Sequence, residues 1–213
     1  MLEALAGFFG KLLGSLVGPA WKWIVQRWQR PAIKLTKAPV NLLEHIGPAS
    51  SKERVQAVLG PPHSVVLQNW FYQFSDVLVQ FEFWDDGGAK TIAMGLAGRK
   101  RANTFPVPGY AKPLGVLTVA DVLEEGASLR RRTTLRTDEV LVEIRRGPTG
   151  AWVNQVFGAL MAVGARSLVE SCFEWDNENN CLRTNPAQVL VNWVAITSTS
   201  DVAEEVWFDW SMT

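Results

Sequence analysis

Residues 77–96 read VLVQFEFW, DDGG, AKTIAMGL, and this stretch decides the fold class. Val77, Val79, Phe81 and Phe83 alternate with Leu78, Gln80, Glu82 and Trp84, the period of two that belongs to a strand. Asp85-Asp86-Gly87-Gly88 supplies turn chemistry, and residues 89–96 read as the returning strand. Working outward, VVLQNWFYQF (65–74) is a further strand-like run. Ahead of it, SKERVQAVLG (51–60) reads as a short helix, with Ser50 and Glu53 at capping-box spacing and Gly60-Pro61 closing it. The expected unit is a helix followed by a three-stranded antiparallel meander.

The runs E53-R-V-x-A-x-L-G-P, W70-F-Y-x-F and V79-Q-F-E-F-x-D-D-G-G-A-K-x-I resemble the small module of BamE/SmpA-like outer-membrane assembly lipoproteins. They also resemble the related repeat of β-lactamase-inhibitor-protein-like folds. The resemblance covers residues 48–96 and implies helices packed on an antiparallel sheet that works by binding proteins. Residues 1–30 do not read as a cleavable secretion signal and contain no Cys for a lipid, so the location and assembly role of those lipoproteins do not carry over.

A second unit echoes the first. Thr118 and Asp121 are placed to cap the short helix VADVLEEG. RRTTLRT (131–137), VLVEIRR (140–146), a turn at 147–150 and AWVNQVFGAL (151–160) then follow in the same order. Three further β-like runs, RSLVESCFEW (166–175), AQVLVNWVAIT (187–197) and EEVWFDW (204–210), close the chain. The expected class is therefore α+β: an antiparallel, β-rich body over 50–213 with short helices, divisible at 113/114 into two tandem helix-plus-meander units. Pro31, Pro39 and Pro48 mark residues 31–49 as a linker.

Residues 1–30 read as a long apolar helix. Ala6, Gly10, Gly14 and Gly18 recur every fourth residue and form one smooth face, suited to close packing against another helix. Phe8 and Phe9 lie in the apolar surface around that face. Trp21, Trp23 and Trp28, interleaved with Lys22, Arg27 and Arg30, have the composition of an interfacial belt with basic anchors. Lys11 and Pro19 weigh against a spanning helix, and the alternatives are a helix lying in the membrane interface, one packed against protein, or one docked on its own domain. The cations Arg27, Arg30, Lys34 and Lys37 favour a cytoplasmic body at the inner face of a membrane.

The 213 residues carry 21 Lys+Arg against 21 Asp+Glu, so net charge is zero, and 47% are hydrophobic. That composition excludes a disordered chain and argues against generic nucleic-acid binding, which carries a basic excess. The zero divides unevenly: residues 1–113 sum to +6 and residues 114–213 to −6. No phosphate loop, dinucleotide fingerprint or nucleophile elbow occurs. His45 and His63 lack acidic or Cys partners at ligand spacing, so neither a metal nor a cofactor is expected. Cys172 and Cys181 flank FEWDNENN, where Glu174, Asp176 and Glu178 read as a solvated acidic loop. Arg130, Arg131 and Arg132 form the strongest candidate for anion binding.

These features lead to a non-enzymatic protein-interaction module, attached to a membrane surface or to partner subunits through its N-terminal helix, with a protein partner or self-association expected. Two alternatives stand beside it: a membrane-perturbing or pore-forming effector built from the glycine-faced helices, and a sensor of a phosphate ligand.

Overall fold

A computed structural model describes residues 35–97, 103–124, 126–146, 153–162, 169, 171–199 and 206–209. The chain divides between Leu35 and Thr36, and every described helix and strand belongs to the second unit, Thr36–Thr213. Three short helices are described, α1 (Leu42–His45), α2 (Lys52–Leu59) and α3 (Val119–Val122). The strands are β1 (Ser64–Val66), β2 (Asn69–Gln73), β3 (Val77–Phe83), β4 (Ala89–Leu96), β5 (Ser128–Thr133), β6 (Thr137–Arg146) and β7 (Val153–Ala162). They continue with β8 (Trp175–Asp176), β9 (Cys181–Leu182) and β10 (Trp193–Thr197). Eight of them form one sheet in the order β1-β2-β3-β4-β10-β7-β6-β5, and β8-β9 is a separate ribbon. Every pairing is antiparallel, so the molecule is α+β with sheet dominant.

The hairpin at 77–96 forms as its alternation requires. Asp86 Oδ1 accepts the Gly88 amide at 2.9 Å, and Gly87 takes a φ of 88°, which closes the turn. The run 65–74, by contrast, is two strands rather than one. Leu67-Gln68 turns the chain, with Leu67 at a φ of 55°. Neither central position of that turn is Gly, Asn or Pro, and the meander has four strands where the pattern gives three. α2 also begins one residue late, with the Ser51 side chain accepting the Arg54 amide.

The stretches 50–113 and 114–213 meet in one sheet, because β4 and β10 pair at its centre, from Trp193 opposite Gly95 to Thr197 opposite Thr91. Residues 36–49 contribute Ala38, Leu42 and Ile46 to the core, and the Ala38 amide donates to Asp76 Oδ1 at 3.0 Å.

The sheet has two apolar faces. One carries Tyr72, Val79, Phe81, Ile92, Met94, Val142 and Phe157 and is covered by the helices. The other carries Leu78, Ala93, Leu141, Val156, Leu160, Trp193 and Ala195, and residues 206–209 cross it as a strap. On this second face the register sets Leu78, Gly95, Trp193, Gly158 and Leu141 side by side. Glycine is required on both sides of Trp193. A Cβ on Gly158 would stand 1.8 Å from Trp193 Nε1, and one on Gly95 would stand 2.4 Å from Phe208 Cζ.

Candidate functional site

The β1–β2 hairpin carries exposed apolar side chains at one corner of the sheet, with Val65 and Val66 on opposite faces. The His63 amide donates to Phe71 O at 2.9 Å beside the Ser64–Phe71 pair, which is the hydrogen-bonding pattern of a bulge. The two-residue turn makes Val66–Asn69 the closing hydrogen-bonded pair, so the intervening Val65 turns its amide and carbonyl to the side of β1 that no described strand pairs. Val65 is 53% exposed, Val66 43% and Leu67 91%. Gln68 holds this tip against the end of β3: its carbonyl accepts the Phe83 amide at 3.1 Å, and its Nε2 donates to Asp85 Oδ1 at 3.2 Å. Trp84, next in the chain, is itself 43% exposed, and Lys90 Nζ lies 4.9 Å from its ring centroid. Large aromatic and aliphatic groups fixed at a surface in this way are the usual anchors of protein interfaces.

The strap is fastened at both ends. Arg132 Nη1 donates to Val206 O at 2.7 Å, and its guanidinium lies 3.9 Å from the Trp207 ring centroid. At the other end the Asp209 amide donates to Gln80 Oε1 at 2.9 Å. Between them Phe208 fills the space above Gly95 and stacks on Trp193, ring centroids 6.0 Å apart.

The three arginines read as anion-binding come together on β5, yet each faces a carboxylate across the β5–β6 hairpin. Arg130 pairs with Glu143, and Arg131 makes a two-pronged contact with Asp138 at 2.7 and 2.6 Å. Arg132 Nε donates to Glu139 Oε1 at 2.6 Å, with Glu139 only 4% exposed. The Asp138 partner raises the Arg131 pKa above its ordinary value. These are cross-strand ion pairs that lock the register of the hairpin.

Ala6, Phe8, Phe9, Gly10, Gly14, Gly18, Trp21, Lys22, Trp23, Arg27, Trp28 and Arg30 lie outside the described residues. No described helix is long and apolar enough to cross a membrane. Among the described residues no group of three His, Cys, Asp or Glu is placed to hold a metal ion. Asp176 accepts the amides of Glu178 and Asn179 at 2.9 and 3.1 Å. The Asn179 side chain, together with those amides, lowers its pKa, so the acidic loop is held by turn bonds. Cys172 and Cys181 are exposed free thiols. His45 Nε2 lies 2.7 Å from Asn41 Nδ2, and His63 Nδ1 accepts the Gln73 amide at 2.7 Å.

No family model matches the chain, and no curated protein matches it. Among solved structures, the crystal structure of a DUF4309 family protein, YjgB, from Bacillus subtilis subsp. subtilis str. 168 aligns with a TM-score of 0.42 and 15% identity. The alignment covers 76% of this chain and 88% of that one.

Proposed function

We propose that this protein is a non-enzymatic interaction module that docks a protein partner on its β1–β2 hairpin, with residues 1–30 tethering it to a membrane surface or a partner subunit. One observation carries the docking reading: Val65, Val66, Leu67 and Trp84 are all large, apolar and exposed around one corner of the sheet. The sequence of residues 1–30, a small-residue face flanked by Trp and basic residues, supports the tether. We read the body as two copies of one helix-plus-meander unit, in the manner of the modules that residues 48–96 resemble. The sheet order supports this, since β1-β2-β3-β4 and β5-β6-β7-β10 run inward from opposite edges to meet at β4 and β10. Leu135 on the β5–β6 turn, fully exposed, matches Leu67 on the β1–β2 turn.

The test compares what full-length protein retains from membranes and from cytosol with what Val65→Lys/Leu67→Asp and a chain lacking residues 1–30 retain. The docking reading expects a defined partner to be lost from the double variant while its melting temperature stays unchanged. Identical sets of retained proteins would end it. Unchanged membrane fractionation together with unchanged oligomeric mass after the truncation would end the tether.

A further inference from the structure

The hairpin corner continues into a cavity of about 140 Å³ between β1–β3 and the strap. Phe71 and Leu78 lie on the strap side of the sheet, and Phe208 closes over them. We infer that this cavity is an anchor pocket for a single Leu or Phe side chain of the docked partner polypeptide, an assignment that rests on the docking reading above.

Size supports it first. An apolar cavity of roughly 150 Å³ holds a benzene molecule, so the volume suits one six-membered ring or one branched aliphatic group. Polarity supports it next. The lining joins Phe71, Leu78 and Phe208 to a polar part that includes Gln80 and Asp209, and with no Lys or Arg and one carboxylate it opposes an anionic group. The polar groups around it suit peptide bonds. His63 Nδ1 accepts the Gln73 amide, which places the proton of the neutral ring on Nε2 and makes that nitrogen a donor. Ser64 and Gln73, also in the lining, add groups that both donate and accept.

Position supports it last. Ser64 belongs both to the cavity and to β1, one residue from the exposed Val65 with its outward amide and carbonyl. A partner backbone lying on the hairpin therefore reaches the cavity with a side chain without leaving the exposed surface. A buried apolar anchor ringed by polar groups is the arrangement in which interface energy concentrates.

The experiment titrates the full-length chain with N-acetyl-L-phenylalaninamide and N-acetyl-L-leucinamide, with N-acetylglycinamide as control, by ligand-observed saturation-transfer NMR. The expected result is saturable binding of the Phe and Leu amides and none of the glycine amide. Ser64→Leu, which fills the cavity, should weaken binding roughly tenfold or more, on the scale set by adding or removing apolar groups in a fitted pocket. Phe208→Ala, which removes the roof, should weaken it independently, and Leu135→Asp, on the exposed β5–β6 turn, should leave it unchanged. Absence of saturable binding to the wild-type chain, or binding by Ser64→Leu and Phe208→Ala as tight as that of wild type, overturns the pocket. Partner loss in Leu67→Asp without any amide binding keeps the docking reading and ends the pocket, whereas amide binding with unaltered partner retention ends the docking reading and with it the anchor role of a cavity that still takes an apolar side chain.

Discussion

Gly158→Ala isolates the packing of the strap-side face. Gly158 needs no unusual backbone angle, and the strand accepts a Cβ without strain there, so the substitution tests only the space above it. That space is occupied by the Trp193 indole, whose Nε1, Cε2 and Cδ1 would lie 1.8, 2.0 and 2.6 Å from the new carbon. Trp193 is fully buried, and its Nε1 has no hydrogen-bond partner, so shape alone holds the ring. The indole cannot rotate away freely, because Phe208 stacks on it. Overpacking of a filled core costs about 1–3 kcal/mol, and contact with a rigid, enclosed ring puts this case at the upper end. For a domain of this length each kcal/mol lowers the melting temperature by about 2–4 °C. Trp193→Val alone should cost about 3 kcal/mol or more through the cavity it leaves. Combined with Gly158→Ala, however, it removes the clash, so the double variant should be more stable than the sum of the two by about 1–3 kcal/mol. Chemical unfolding followed by far-UV circular dichroism reads all four corners of the cycle. If Gly158→Ala lies within about 0.5 kcal/mol of wild type, the range of an indifferent surface change, or if the two costs simply add, the interlocking of Trp193 and Gly158 is wrong.

Gly95→Ala should be milder than Gly158→Ala, because its Cβ meets Phe208 on the short strap instead of a ring anchored in a strand; faster hydrogen exchange at the Asp209 amide with a smaller fall in melting temperature is the expected signature. Asn192→Asp should cost about 3 kcal/mol or more in chemical unfolding: the Asn192 Nδ2 donates to Leu160 O and Val169 O at 2.8 and 2.7 Å, and a buried carboxylate would oppose both carbonyls. Burial pushes the Tyr72 hydroxyl up to about 12 from an ordinary 10, so its contribution to stability is complete below pH 10 and declines as pH rises toward 12; a stability difference between wild type and Tyr72→Phe that stays constant across that window would refute this. The Asp121 carboxylate, bonded to Lys112 Nζ and to the Thr118 amide and hydroxyl, has a lowered pKa, so its contribution is present above the ordinary 3.8 and is lost as pH falls through the depressed value. Asp121→Asn should accordingly cost about 1 kcal/mol at neutral pH, and the difference from wild type should vanish in strong acid.

Local alternation and turn chemistry make the hairpin at 77–96 and the antiparallel class legible, because each strand there alternates and ends on residues suited to a turn. The β1–β2 turn is illegible for the opposite reason: Leu67 and Gln68 have no preference for a turn, and the bend is held by contacts of Gln68 with Phe83 and Asp85, which lie 15 and 17 positions further on. The most exposed leucine of the candidate site therefore reads as the middle of a strand. The arginines show the same dependence on distance. Three adjacent cations look like an anion site until the β5–β6 register sets Glu139 opposite Arg132 and places Asp138 and Glu143 diagonal to Arg131 and Arg130, and that register is a property of the hairpin as a whole.

A period of two reports an extended chain lying on an apolar surface, and pairing is a separate matter. In 204–210 the alternation is real: Val206 and Phe208 are buried while Trp207 and Asp209 are exposed. Yet these four described residues form no strand and lie across the sheet as its strap. The segment around Phe173 behaves alike. Val169, Ser171 and Phe173 are buried while Cys172 and Glu174 are exposed, and the backbone is held at separate points without forming a strand: the Val169 and Ser171 amides donate to Leu96 O and Leu160 O, each at 3.3 Å, and Asn192 Nδ2 donates to Val169 O. Both segments expose one side and bury the other, which is all that alternation encodes. Pairing additionally requires a free edge, and the strands flanking the centre of this sheet, β4, β10 and β7, already have a neighbour on each side. An apolar chain arriving at such a sheet has only the face left to cover. Among the described residues the strap reaches Gln80 on β3, whose Oε1 accepts the Asp209 amide, and Val65, Val66 and Leu67 on the β1–β2 hairpin are exposed.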